Sequence, residues 1–409
     1  MSDERVLAMV LAGGEGTRLH PLTAERSKPA VPFGSRYRIV DFVLSNLFNS
    51  GILAIYLLVQ YKSQSLIEHV RRTWMGASNI PGQFVTVMPP QMHEGAASFA
   101  GTSDAVYQNL HRLAVDRPTL VAVFGADHIY RMDVRQMIEF HRERDAEVTV
   151  AALPVPRASA SGFGVIDCGA DGRIRGFLEK PSDPPAMPND ADRAYASMGN
   201  YLFNAGVLAT ELEAARTLGE KDFGRHVLPR LIGPHRVCAY DFASNRVPGI
   251  RPHEEPAYWR DVGALDAYYA ANMDTLGAEP KLHLFNPRWP ILSSAYHGPA
   301  ANVQRADIEN SHLGAGSLVR GATVRNSIVR REVLLEEDVE LEDSIVMDYC
   351  VLRRGARVRR AIIDRYNVVA SGERIGFNAD ADRARYHVTG SGIVVMPIAP
   401  VRGDTNMYE

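Results

Sequence analysis

The chain is 409 residues long, 46% hydrophobic and 23% charged, with a formal net charge of −3, so it has the length of two domains and lacks the basic surplus of a general nucleic-acid binder. No apolar run approaches the ~18 residues that cross a bilayer, and no basic segment with an apolar core opens it, so neither a membrane protein nor a secreted one is expected. Three widely spaced cysteines, Cys168, Cys238 and Cys350, with no C-x-x-C among them, argue against structural disulfides and zinc and for a reducing cytoplasm.

Residues 5–12 form an apolar run that reads as a buried strand. It feeds a glycine-rich turn, Gly13-Gly14-Glu15-Gly16-Thr17-Arg18-Leu19, and Lys28-Pro29 follows. Glycines let backbone N–H groups close around phosphate oxygens, and Arg18 and Lys28 add the charge that neutralises them. This is not the P-loop, because no Lys-Ser/Thr follows the last glycine, and the glycine spacing is not that of the dinucleotide fingerprint. Of 45 basic residues only five are lysine: Lys28, Lys62, Lys180, Lys221 and Lys281. A compact ammonium and a planar guanidinium are different ligands, which marks Lys28 and Lys180, both inside candidate phosphate motifs, for attention.

Further along, residues 37–49 have helical spacing and stop before Gly51, a suitable C′ residue. Residues 53–59 read as a buried strand and 103–113 as a helix. Residues 119–124 are a short strand leading directly into Gly125-Ala126-Asp127-His128. A helix over 134–144 and a strand over 147–153 follow. Such alternation predicts a mostly parallel sheet with helices on both faces. Ligands bind such sheets beyond the carboxyl ends of the strands, where the Gly13 loop and Asp127 both fall. Proline-rich stretches at 181–188 and 248–256 read as loops, and Asn286-Pro287-Arg288-Trp289-Pro290 closes the alternating region.

From about Asn302 the texture changes. Apolar marks recur every five or six residues: Ile328 and Leu334; Val339, Ile345 and Val351; Ala356, Ile362 and Val368. Glycines recur at the gaps. The pattern predicts a hexapeptide-repeat parallel β-helix, in which each coil stacks its apolar marks on the next.

The run LAGGEGTRLHPLTAERSKPAVPFG at 11–34 resembles the sugar-nucleotide pyrophosphorylases, and Tyr37-Arg38-Ile39-Val40-Asp41-Phe42-Val43-Leu44-Ser45-Asn46 narrows the resemblance to the bacterial ADP-glucose pyrophosphorylases. It implies a Rossmann-like α/β nucleotidyltransferase domain over 1–280, a linker over 281–301, and a left-handed parallel β-helix over 302–409 for oligomerisation and regulation. It implies an enzyme that joins ATP and glucose 1-phosphate into ADP-glucose and pyrophosphate with Mg²⁺, in the committed step of glycogen synthesis. A cytoplasmic homotetramer under small-molecule allosteric control is implied as well.

The same resemblance implies the site. Ala12, Gly13, Gly14, Gln91, Gly101 and Thr102 fall at nucleotide-binding positions, with Arg18, Lys28 and Asp127 as catalytic residues and Asp127 and Asp261 as the metal pair. Hard divalent ions take one or two carboxylates plus phosphate oxygens, which suits the two aspartates. Gly176-Phe177-Leu178-Glu179-Lys180-Pro181 marks the sugar phosphate, with Lys180 as a point charge on the phosphate and Glu179 as acceptor for sugar hydroxyls. Gly164 permits close backbone approach, and Ser197 offers a hydroxyl. His128 is expected to be structural, because a sugar phosphate is already an anion and needs no general base. Phe99-Ala100 replaces the Tyr-Arg usual in the family, removing a hydroxyl and a cation.

Two other functions fit parts of the chain. A non-catalytic regulatory homologue would be expected to lack some of Arg18, Lys28, Asp127 and Lys180, and all four are present. A hexapeptide acyltransferase would need a base, for which the C-terminal part offers His312 and His387. For regulation, Glu25 occupies a position where enteric members carry an activator-binding lysine. Arg26, Arg353, Arg354, Arg357, Arg359 and Arg360 are candidate anion ligands, or else simply coat a solvated β-helix face.

Overall fold

A computed structural model describes residues 5–74, 82–90 and 98–400. Gln91 lies outside the described residues. In chain order the first part comprises β1 (Val6–Ala12), β2 (Pro32–Phe33), β3 (Tyr37–Arg38), α1 (Ile39–Asn49), β4 (Ala54–Val59), α2 (Gln64–Thr73), β5 (Phe84–Met88), α3 (Thr102–Tyr107) and α4 (His111–Asp116). It continues with β6 (Leu120–Gly125), β7 (His128–Tyr130), α5 (Val134–Glu143), β8 (Val148–Pro156), β9 (Gly164–Cys168), β10 (Ile174–Glu179), β11 (Arg193–Asn204) and α6 (Ala205–Thr217). It closes with α7 (Leu228–Leu231), β12 (Val237–Asp241), β13 (Trp259–Asp261) and α8 (Leu265–Met273).

Nine strands make one sheet in the order β10-β9-β11-β6-β1-β4-β5, with β8 joined to β11 and β12. The registers set seven of them in one direction and oppose only β10 and β11, so the sheet is mostly parallel. Alternate side chains of β1 enter opposite cores, as a pleated strand requires. Ala8, Val10 and Ala12 pack with α1, α2 and α5. Leu7 and Met9 pack with α3 and α6 on the other face.

The element boundaries differ from the sequence reading where a polar side chain intervenes. The helix read from residue 37 begins at Ile39, because the Asp41 carboxylate accepts the Arg38 backbone N–H at 2.9 Å and fixes the start there. It ends as expected, with Gly51 at φ 78°. The single helix read over 103–113 is two, because the Asn109 side chain donates to the Ala105 carbonyl at 2.9 Å while backbone bonds tighten around it.

The second part is a three-faced β-helix of parallel strands, each face a separate sheet, as in left-handed β-helices. The pairings Leu318↔Leu334 and Leu334↔Val351 give coils of 16 and 17 residues. Equivalent corners take positive φ at Asn310, Asn326, Asp343 and Arg360. Every apolar mark from Ile328 to Ile362 is buried, but Val368 is 47% exposed and its neighbour Val369 fills the core position instead. His312 and His387 lie on the first and last strands of the same face, so they do not share a site.

The two parts are packed together. Ile328, Ile345 and Ile362 of the β-helix share a core with Tyr258, Leu265 and Tyr268. Arg330, 2% exposed, donates to the carbonyls of Phe33, Gly34 and Tyr37 at 3.1, 2.7 and 3.1 Å and pairs with Asp348 at 3.2 Å. Arg26 is buried in an ion pair with Asp364. Arg353, Arg354 and Arg357 pair with Glu336, Glu337 and Glu340 of the preceding coil. Arg26 is therefore a structural cation rather than a free anion ligand, and those three coil arginines form a solvated ladder. All three cysteines are buried and free. Among the described residues, no helix is long and apolar enough to cross a membrane.

Candidate functional site

The parallel register Leu11↔Gly125 sets the carboxyl ends of β1 and β6 side by side. The Gly13 loop and Asp127 therefore share one wall of a cavity of about 680 Å³, a volume typical of small-molecule sites. Gly16 takes φ +66°, and a Cβ there would come within 2.9 Å of the Lys28 Cβ. The glycine thus bends the loop and lets Lys28 pass behind it.

Asp261 reaches the same wall by a different route. Strand β13 pairs antiparallel with β7, which places Asp261 opposite His128. Asp127, His128 and Asp261 each present a ligand atom, all within 4.8 Å of one another. The Lys28 ammonium donates to Asp127 Oδ2 at 3.0 Å and to Asp261 Oδ1 at 2.9 Å. Burial opposes the Lys28 charge, but Asp127 and Asp261 outweigh it and raise its pKa. Burial likewise works against the Asp127 carboxylate, yet His128 and Lys28 hold it well below the usual carboxylate range. Two carboxylates with an imidazole beside them suit a divalent cation. Arg18 is 74% exposed on its side chain, 3.9 Å from Asp261, and remains available to a ligand.

Ala12, Gly13, Gly14, Arg18, Lys28, Gly101, Thr102, Asp127, Gly164, Glu179, Ser197 and Asp261 all line the cavity. The exception among the described candidates is Lys180, which is not on its wall. Lys180 has φ 50° and a side chain 58% exposed, with Glu179 at 3.8 Å. It stands at the rim, one residue beyond a lining carboxylate. Gly164 meets a constraint of its own: a Cβ would lie 2.7 Å from the Phe177 ring. Thr102 directs its hydroxyl to Asp222 at 3.1 Å and accepts the Phe223 N–H at 3.0 Å, clamping α3 to the 222–224 turn. Phe99 lines the wall, its backbone N–H held by the Gln60 side chain.

Sequence reasoning missed several lining residues. His128, read as structural, packs its ring 4.7 Å from Trp259 and lies beside Asp127 at 3.4 Å, facing the cavity. Asp222 caps a short π-helix, Phe223–Val227, that contains Gly224 and has no sequence pattern of its own. Gly263, where a Cβ would lie 2.8 Å from Arg18 and 2.9 Å from Asp261, was legible in the run Asp261-Val262-Gly263.

Comparison with known proteins places this geometry. Residues 7–277 match the family model described as nucleotidyl transferase, and 295–396 match that of the GlmU-like C-terminal hexapeptide. The chain is 53% identical to a glucose-1-phosphate adenylyltransferase of Thermodesulfovibrio yellowstonii over 97% of this chain and 96% of the relative. It is 46% identical to one of Anaeromyxobacter sp. over 97% and 98%, and 42% identical to one of Photobacterium profundum over 96% and 98%. With the glycine loop and the paired aspartates on one cavity wall and likeness over nearly the full length, the chain belongs to the nucleotidyl transferase family, among its glucose-1-phosphate adenylyltransferases.

Proposed function

We propose that the protein transfers the adenylyl group of ATP to α-D-glucose 1-phosphate, forming ADP-glucose and releasing pyrophosphate, for glycogen synthesis. The observation that carries this reading is one cavity lined together by the Gly13 loop, the paired carboxylates, Glu179 and Ser197. The Ala12-Gly13-Gly14 backbone, Arg18 and Lys28 hold the triphosphate. The purine lies toward Gly101 and Thr102, with Gln91 its further contact. Glu179 and Ser197 bond the sugar hydroxyls, Gly164 leaves the sugar room, and Lys180 reaches its phosphate from the rim.

Asp127 and Asp261 would hold the divalent ion, Mg²⁺ in this reading, which would neutralise charge on the reacting phosphates. An oxygen of the sugar phosphate forms the new bond to the α-phosphorus. The bond to the leaving pyrophosphate breaks in line, and pyrophosphate departs with the electron pair. No proton has to move, so catalysis is positioning and electrostatics. Exchange of labelled pyrophosphate into ATP, run with four nucleoside triphosphates and several hexose 1-phosphates, tests the reading. Exchange that is absent with ATP, or that proceeds as well without glucose 1-phosphate, would refute it.

Replacing Lys180 separates binding from chemistry. Lys180→Ala is expected to raise KM for glucose 1-phosphate several-fold with a smaller effect on ATP, the signature of a lost ground-state contact. A rise in the ATP constant alone would remove Lys180 from the sugar-phosphate site.

The protein works as a cytoplasmic homotetramer controlled by small anions, and inhibitory nucleotide or phosphate is the counterpart of the activator. Phe285, 70% exposed beside the first coil, is a surface such an assembly would cover. At the junction of the two parts, burial and then the neighbouring Arg365 and Arg26 charges lower the Arg38 pKa. Glu25 is exposed nearby in sequence and repels doubly phosphorylated ligands. Fructose 1,6-bisphosphate is expected to activate weakly, monophosphorylated sugars or three-carbon acids more strongly, and Glu25→Lys to strengthen the bisphosphate response. Strong activation of the unaltered enzyme by micromolar bisphosphate would show that Glu25 does not set the preference.

A further inference from the structure

Lys28 holds both carboxylates of the candidate metal pair at once. Its ammonium bridges Asp127 at 3.0 Å and Asp261 at 2.9 Å. Those are the two carboxylates whose ligand atoms, with His128, converge within 4.8 Å. A cation bound to both carboxylates therefore competes for the oxygens that Lys28 now holds. One ammonium leaves the carboxylate pair with a net negative charge, whereas a divalent ion neutralises it.

The stem of Lys28 is fixed. Its side chain is only 7% exposed. Its Cβ lies against the Gly16 backbone, within 2.9 Å of where a Cβ would stand. Only the distal methylenes and the ammonium can swing. The phosphate loop of Gly13, Gly14 and Arg18 lines the same cavity beside it.

We infer that Lys28 is an exchangeable placeholder: it holds the carboxylate pair together in the empty enzyme, and the divalent cation displaces its ammonium onto the nucleotide triphosphate. This rests on the reading of Asp127 and Asp261 as the metal pair. Two properties follow. Divalent cation binds weakly without nucleotide, because it must break two charge-assisted hydrogen bonds and leave an ammonium without a partner. Nucleotide tightens cation binding, because the triphosphate receives the displaced ammonium, and by linkage the cation tightens nucleotide to the same degree.

The test is Mn²⁺ binding to the full-length, nucleotide-free protein, with free ion read by electron paramagnetic resonance. Lys28→Met is expected to bind Mn²⁺ about tenfold or more tightly than the unaltered protein, a size ordinary for coupled sites. With the non-cleavable α,β-methylene analogue of ATP present, the unaltered protein should tighten and the difference narrow. Adding Asp127→Asn to Lys28→Met should abolish the tight site.

Equal or weaker binding by Lys28→Met, with Asp127→Asn alone still weakening it, would overturn the exchange and leave the metal pair standing. Tight binding that survives Asp127→Asn would place the ion elsewhere and overturn both. A measurement on the unaltered protein guards against a variant that fails to fold. The chain has five lysines, so acetylation by an N-hydroxysuccinimide ester can be read at each by peptide mass. Millimolar Mn²⁺ alone should raise labelling of Lys28 several-fold and leave Lys62, Lys221 and Lys281 unchanged, and the ATP analogue should restore protection. Labelling of Lys28 indifferent to Mn²⁺ would overturn the exchange.

Discussion

Asp127→Asn is expected to lower turnover by about 10²-fold or more, the scale of losing one preorganised electrostatic element, while the protein stays folded. The substitution keeps the shape of a side chain that is 39% exposed. What it removes is charge. With an amide there, the cluster loses one of its two anionic oxygen ligands, and Lys28 keeps only Asp261, at 2.9 Å, as a carboxylate partner. The loss should appear in kcat at saturating ATP and glucose 1-phosphate, with circular dichroism and melting close to the unaltered enzyme. Near-normal turnover in the folded variant would remove Asp127 from the mechanism.

Arg330→Met should have the largest effect on stability, a loss of about 3–5 kcal/mol, the range for removing one member of a buried ion pair. The guanidinium is 2% exposed and serves two roles. Across the junction it satisfies three carbonyls of the 33–37 hairpin, and within the β-helix it pairs with Asp348. Methionine fills much of the volume but leaves those carbonyls without a donor and the Asp348 carboxylate with weaker compensation from Arg331 at 3.5 Å.

The pH dependence of that loss has a definite sign. Burial works to raise the Asp348 pKa, but Arg330, then Arg331 and Arg365, pull it below its ordinary value of 3.8. A depressed carboxylate contributes stability above the unfolded value and loses it as pH falls through the folded one. The deficit of Arg330→Met should therefore be full at neutral pH and narrow as pH falls below 3.8 toward the depressed folded value, where a protonated Asp348 no longer needs its partner. Denaturant unfolding at both pH values checks this. A loss under about 1 kcal/mol at neutral pH would mean that the junction is held by its shared apolar core instead.

What depends on local pattern was legible in the residues alone. Continuous apolar runs specified β1, β4 and β6. The glycine turn after β1 and the aspartate after β6 were placed correctly at strand ends. Apolar marks at five- and six-residue spacing announced the β-helix, because each coil must bury a side chain at every face. Even there the register slipped by one at Val368, where Val369 is the buried neighbour and two adjacent valines give no local reason to choose.

What depends on partners distant in the chain was set by packing. Asp261 meets Asp127 because β13 pairs with β7 in one register. Lys28 turns its ammonium to those carboxylates, Arg26 is locked to Asp364, and the coil arginines pair with glutamates one coil back. Lys180 stands at the rim because its backbone leaves the strand at φ 50°. Periodicity reports which side of the chain is buried. A charged side chain's partner is set by which segments the packing brings face to face, and no local pattern of residues carries that information.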